Sequence, residues 1–595
     1  MRPVSPGARA AIPRRPPTEP RARVHRTGRR VIFDYPSVAS RDIDADLCII
    51  GAGPAGLAIA HAMIGAPIDV CVIESGGYAG EARTQALCDG LSIGAHALDP
   101  GLSRLRAFGG SCNLWGGGCI PLAPLDVASR EWVPHGSWPL AYAELETYYA
   151  RAKSFCRIDE HEFRNGSSLC EPPRAPFRFD GADVVNRTFA ISSVVFGTAY
   201  RDDIARARNV TVLLHANVLE LEASPSASAV MRARVASLDG HAGCVRARHY
   251  VLATGGIENA RLLLLSDSVA PDGLGNDRGL VGRFLMDHPA VRLGTLHVDD
   301  AERLASTYRH TASGTGTHAC AEISFSDEAQ QKQQLLNART QPYAIEAPPP
   351  RGIAALRALR AALRAPARDE STRIGEAISA ALRHAGAPAA TGARAGFGRN
   401  ALAVGIGVGD VARAIVRKLA GRPTVESRHV DLVGFFEQAP NPDSRVTLGI
   451  ARDTLGQRKV CVDWRLTPLD WRTYRAASAI FGGTLAQALN GEFRPDPWLA
   501  GADGDAVEVR GRAHHIGTTR MSETPADGVV DTDCRVHGID NLYVAGSSVF
   551  PTGGWAYPTL TIVALALRLA DHLKRRLAPR GPEVIRTAAS AAVSS

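Results

Sequence analysis

The chain has 595 residues, 45% apolar and 22% charged, with 58 Gly and 37 Pro, a globular profile that excludes collagenous, disordered and disulfide-dense classes. Its net charge of +8 resides in the first 30 residues, where nine Arg stand against one acid; the remaining 59 basic and 59 acidic residues cancel, so no nucleic-acid surface is expected. Eleven scattered Cys without a CxxC read as reduced thiols in a cytoplasmic setting, and neither a covalent c-type haem nor a metal site is expected.

In chain order, the Pro/Arg-rich segment 1–42 lacks the apolar side chains needed to offset its ordering entropy. It reads as a disordered leader, with an organelle-targeting or anionic-partner role as the alternative. Asp46–Ile50 is an apolar strand that runs into Gly51-Ala-Gly53-Pro54-Ala55-Gly56 and then into apolar residues at helical spacing; Val70–Ile73 is a second strand, ending at Glu74. Strand, Gly turn, helix and strand make a βαβ unit, hence a parallel sheet covered by helices. In such a G-x-G-x-x-G turn the first Gly permits the bend, the second lets backbone N–H groups approach a pyrophosphate, and the third allows close helix–strand packing. Glu74, 23 residues after Gly51, suits the ribose hydroxyls of FAD or NAD and would repel the 2′-phosphate of NADP.

The Gly-dense loop Phe108–Gly117 can lay backbone against a flat ring system, or can be a tight packed turn. Tyr250–Thr254 runs into Gly255-Gly256 and the helical ENARLLLL, and Asn541–Ala545 runs into Gly546 and the helical PTLTIVALALRLADHLK. The apolar run Leu560–Leu567 stops at Arg568, far short of the ~18 residues that span a bilayer. Three strand–Gly–helix passages, far apart in sequence, predict one dinucleotide domain assembled from separated pieces with a second domain inserted. Between them, the Ala- and Arg-rich segment that includes RGIAALRALRAALRA reads as a helical lid or surface element with a solvated Arg face, with contact to a membrane surface or an acidic partner as the alternative.

Near the C-terminus, AHHIGTTRM (513–521) precedes GVVDTDCRVHGIDNLYVAGSSVFPTGGWAYPTLTIVALALRLADHL. This block resembles the C-terminal signature of the glucose–methanol–choline (GMC) flavoprotein oxidoreductases. The Gly51 loop, GGSCNLWGG, ATGGIENARLLL and EQAPNPDSRVTLG from Glu437 resemble that family too, in the family's order. The likeness covers most of 43–295 and 430–575 and leans toward the pyranose oxidase and fructose dehydrogenase-like branch.

The resemblance implies an α/β fold: a Rossmann-like FAD-binding domain from 43–135, 187–295 and 505–578, and an inserted α+β substrate domain from 136–186 and 296–504. The helical insert falls at 350–425, and tails at 1–42 and 579–595. It implies FAD, with Gly51, Gly53, Pro54, Ala55, Gly56 and Glu74 on the ADP half and Val218 at the adenine. Gly110, Ser111, Asn113 and Leu114 would line the flavin, and Gly546, Ser547 and Thr559 would meet the pyrophosphate, ribityl chain and pyrimidine edge. Members with covalent flavin carry His at the position of Leu114; leucine cannot form that bond, so the FAD is expected to be non-covalent.

His514, three residues before Gly517, matches the family's active-site His, and an imidazole can take a proton near neutral pH. Its neighbour His515 reads as pointing away. Tyr557 stands where the family has Asn or a second His. Either its phenol donates to the substrate oxygen in altered geometry, or the ring packs and the donor comes from elsewhere. The implied reaction oxidises a CH–OH group of a sugar, polyol or cyclitol-like alcohol by hydride transfer to flavin N5. Electrons would pass to O2, a quinone or a separate cytochrome subunit. The alternative is a flavin lyase or decarboxylase on the same fold, hydroxynitrile lyase-like or fatty-acid photodecarboxylase-like.

Overall fold

The computed structural model describes residues 31–159, 163, 176–179, 181–308, 318–364, 369–382, 397–419, 424–425, 427–504, 507–555 and 557–578. Most of the expected N-terminal tail, and all of the tail at 579–595, lie outside these residues.

The strand Asp42–Ile50 is flanked by Val70–Ile73 and Ala242–Leu252, both parallel to it. Leu47 to Ile50 are buried without interruption, as a strand covered on both faces requires. Val210–Leu214 and then Ile32–Asp34 extend the sheet in parallel on one side, and Leu542–Val544 pairs in parallel with Ala242–Leu252. An antiparallel pair, Val230–Ala236 and Asn217–Ala223, completes eight strands. Ile32–Asp34, expected within the tail, is instead a strand, because that short apolar segment finds a parallel partner far along the chain.

Helices Pro54–Ala62 and Thr559–Leu577 pack on each other beside this sheet. Small buried residues, Ala55, Ala58 and Ala60 on one and Ala564 and Ala566 on the other, suit a close approach of two helices.

A second, antiparallel sheet has the order Glu492–Pro495, Ala290–His297, Ser427–Phe436, Ala338–Glu346, His318–Phe325, Val184–Ile191, Gly118–Cys119. The helix Pro468–Ala488 buries Trp471, Tyr474, Ala477, Phe481 and Leu485 in the core beside it. This sheet takes strands that cross the expected boundaries at 186/187 and 295/296, since a strand is shared by neighbours and cannot be cut at a change in motif. Gly118–Cys119, expected within the dinucleotide domain, forms its edge.

The insert contributes helices Arg351–Arg364, Glu370–Ala381, Phe397–Ile406 and Val408–Leu419. Arg357 and Arg360 face solvent. The second helix bridges toward the dinucleotide domain: Gly80 N–H donates to Ser371 Oγ (3.1 Å), and Leu114 lies against Gly375.

Candidate active site

A cavity of about 850 Å³ runs from Glu74 to the facing surface of the second sheet. At one end Gly51 turns the chain at φ +103°, where a Cβ would lie 2.5 Å from the Ala253 carbonyl oxygen. Gly53 caps the helix Pro54–Ala62 and faces open space, whereas a Cβ on Gly56 would lie 2.0 Å from Gly51 O. Thus Gly53 leaves room for a phosphate at a helix N-terminus, and Gly56 does its work behind the cavity, outside its walls. Pro54 and Ala55 line it.

Glu74 is buried, and its two carboxylate oxygens accept N–H groups of Ala52 and Gly76, each at 2.9 Å. Burial raises its pKa against these hydrogen bonds. The remaining lone pairs can accept ribose hydroxyls. Val218 lines the same end.

Gly110, at φ +63°, brings the second glycine loop against Gly53, and Ser111 and Leu114 line the cavity beside it. Asn113 differs from expectation: its amide donates to Phe108 O (2.9 Å) and accepts from Gly197 N–H (3.2 Å), so it braces the loop and is absent from the cavity wall. Gly546, Ser547 and Thr559 line the middle; Ser547 Oγ donates to His515 O at 2.6 Å. His515 is buried and also borders the cavity. Taken together, the open Gly53, the buried acceptor Glu74 and the long cavity fit FAD.

At the other end His514 Nδ1 and His288 Nδ1 are 2.8 Å apart, and His288 Nε2 lies 2.8 Å from Gly554 O. A carbonyl only accepts, so His288 carries its proton on Nε2. Burial drives the His288 pKa down to about 4, and the neutral ring's Nδ1 must then accept. His514 is left as donor through Nδ1–H, with its lone pair on Nε2. Burial, with the neighbouring His288, Arg512 and His515 contributing, holds the His514 pKa well below its ordinary value.

Asp287 fixes this segment in space. Its Oδ1 accepts N–H groups of His288 (2.6 Å), Arg512 (2.9 Å) and His514 (3.0 Å), and its Oδ2 accepts from Ala513 (3.0 Å). Neither Asp287 nor His288 was among the sequence candidates. The one available signal is a polar Asp-His pair set between the apolar Leu285-Met286 and Pro289.

Tyr557 also lines the cavity, its ring 6.3 Å from that of His514. Its hydroxyl donates to Glu322 Oε1 (3.0 Å), which also pairs with Arg339 Nη1 (2.8 Å), and the Arg339 guanidinium lies 5.3 Å from the Tyr557 ring centre. The phenol's single proton is thus committed away from His514. Of the two readings of Tyr557, the packing alternative is the one that this hydrogen bond accords with. Gly118 leaves room for its ring, where a Cβ would lie 2.8 Å from Tyr557 carbons.

The fold and this two-ended cavity define an FAD enzyme, and residues 46–412 match the family model described as FAD dependent oxidoreductase. Residues 440–566 match the model described as GMC oxidoreductase, and the chain belongs to that family of alcohol-oxidising FAD enzymes. It is 26% identical over 594 residues to the 6'''-hydroxyparomomycin C oxidase of Streptomyces lividus, covering 89% of this chain and 92% of that one. Paromamine 6'-oxidase of Streptomyces fradiae is 25% identical over 594 residues, covering 91% and 94%. Formate oxidase, 16% identical, matches over 90% of this chain and 99% of its own with a TM-score of 0.51, a likeness of fold. The lyase or decarboxylase alternative is not favoured, since both full-length relatives are named oxidases. No helix among the described residues is long and apolar enough to cross a membrane.

Proposed function

We propose that this enzyme oxidises a CH–OH group of a sugar- or cyclitol-like molecule, with His514 Nε2 as the base. The observation that carries the reading is the fixed tautomer of His514, whose Nδ1–H is held by His288. FAD, when bound, supplies the acceptor for the hydride that leaves the carbinol carbon. The chain's own part is proton removal, and the substrate hydroxyl proton passes to Nε2. The His288 contact needs no rearrangement at that moment, because Nδ1–H remains a donor in the imidazolium. A depressed His514 pKa then favours release of the proton, so the base is regenerated.

Gly51, Gly53, Pro54, Ala55 and Glu74 would hold the ADP half, Gly110, Ser111 and Leu114 the flavin, and Gly546, Ser547 and Thr559 the centre. The substrate class is supported by the relatives' names, and re-oxidation by O2 by their being oxidases; a quinone or cytochrome subunit is the alternative acceptor. A cytoplasmic setting is supported by cysteines scattered along the chain without a CxxC. Anaerobic absorbance of the FAD-loaded enzyme against a panel of sugars, polyols and cyclitols tests the reading. Bleaching of the flavin by at least one is expected, with oxygen uptake on readmitting air. Fully loaded enzyme that no member of the panel reduces contradicts it.

A further inference from the structure

The substrate end of the cavity is lined by two arginines, Arg339 and Arg512. Arg339 is matched by Glu322 at 2.8 Å, and Glu322 also receives the Tyr557 hydroxyl. Arg512 has no such counterpart. Its guanidinium donates to the Leu382 carbonyl and lies 5.5 Å from the Phe435 ring centre, and no carboxylate lies within 4 Å of it among the described residues. Its backbone N–H is tied to Asp287, which places the cation two residues before the base.

The acids that border the cavity are all at the dinucleotide end, and each is already engaged. Glu74 accepts two backbone N–H groups, Glu258 is paired with Arg104 (2.8 Å) and Arg106 (2.9 Å), and Asp453 with Arg261 (2.7 Å). Leu382 and Phe435, which touch Arg512, belong to the insert and to the second sheet, which places its side chain on the substrate side of the cavity. Burial opposes the charge on Arg512. A half-buried cation with only a carbonyl to donate to is incompletely compensated, and an arriving anion adds a charge-assisted hydrogen bond.

We propose that the substrate carries an anionic group, a carboxylate or phosphate, that Arg512 binds while His514 faces the hydroxyl to be oxidised. This rests on the proposed function for the use of His514, but the anion subsite is measurable without turnover. An amine-bearing substrate finds no acid on the cavity wall at this end among the described residues, since Asp287 is taken up by backbone N–H groups and Glu322 by Arg339 and Tyr557, and its ammonium faces the Arg512 guanidinium.

The test is a titration of the FAD-loaded enzyme with glucuronate, glucose 6-phosphate, glucose and glucosamine, followed by flavin absorbance changes and by calorimetry. The same titrations use Arg512→Gln, which removes the charge, and Arg512→Lys, which keeps it. At least one anionic sugar is expected to bind at least ~10-fold tighter than glucose or glucosamine. Arg512→Gln should abolish that preference, and Arg512→Lys should keep part of it. Equal or tighter binding of glucose or glucosamine overturns the proposal, as does an anion preference that survives in Arg512→Gln. Should Arg512→Gln not fold, the wild-type ranking and Arg512→Lys decide. Reduction of the flavin by neutral sugars without anion preference would sink this inference alone. Arg512-dependent anion binding without flavin reduction by any sugar would sink only the proposed function.

Discussion

Replacing Asp287 by Asn keeps the shape of the group that gathers the His514 segment and removes its charge. Burial lifts the Asp287 pKa to about 6, against the N–H groups of Arg512, His514 and His288 that lower it. A pKa raised from 3.8 means that the ionised form is disfavoured in the folded chain relative to the unfolded one, so loss of the charge is not itself destabilising. The four accepted N–H groups are spread over both oxygens, three on Oδ1 and one on Oδ2. The amide NH2 must therefore face at least one backbone N–H, donor against donor, which costs about 1–3 kcal/mol. The expected destabilisation is at most about 1–3 kcal/mol, concentrated on residues 512–514. A base displaced by a fraction of an ångström loses rate steeply, so anaerobic flavin reduction in stopped flow should slow at least ~10-fold. The assay is that rate at saturating substrate, alongside the denaturation midpoint at equal FAD occupancy. A variant with both quantities unchanged would refute the assignment of Asp287 as the clamp.

Three further outcomes follow from the geometry. With His288 titrating at about 4 and His514 held well below 6.5, both rings are neutral at pH 6.5. The rate of flavin reduction should stay level from pH 8 to 6.5 and fall only below that; a pH–rate profile whose acid midpoint lies at or above 6.5 contradicts the depressed base. Gly56→Ala puts a Cβ 2.0 Å from a backbone oxygen and should weaken FAD binding at least ~10-fold, with about 1–3 kcal/mol of overpacking strain; flavin fluorescence on dilution reads the affinity, and normal retention rejects the packing argument. Tyr557→Phe deletes only a hydroxyl committed to Glu322, so it should lower stability by about 1–3 kcal/mol yet change flavin reduction less than ~10-fold. A loss of ~10²-fold or more in stopped flow would restore Tyr557 as a substrate donor.

The dinucleotide half was legible because its signals are local. Leu47–Ile50 and Val70–Ile73 are uninterrupted apolar strands, and between them Gly51 and Gly56 sit where the backbone has no room for a side chain. The second sheet was less legible. Its strands pair across long separations, as Val184–Ile191 does with His318–Phe325, and neither segment carries a motif that announces its partner. The same holds in the site. His514 stands in a recognisable register, but the groups that give it a tautomer and a position, His288 and Asp287, lie more than 220 residues upstream. Tyr557 shows the limit most plainly: its residue type suggested a donor, and only the location of Glu322, 235 residues away, decides where the proton points. The lone cation Arg512 is invisible in a sequence whose body has balanced charge, because pairing is a property of the folded neighbourhood.

The central claim is that His514 removes the substrate proton in an FAD-dependent alcohol oxidation. Anaerobic single-turnover reduction of wild type and His514→Ala, at matched FAD occupancy and with a substrate found by the panel, tests it most directly. The account predicts that the variant retains FAD and that its flavin is reduced at least ~10²-fold more slowly, the loss expected for removal of a general base. An FAD-loaded His514→Ala enzyme reduced at the wild-type rate would contradict it.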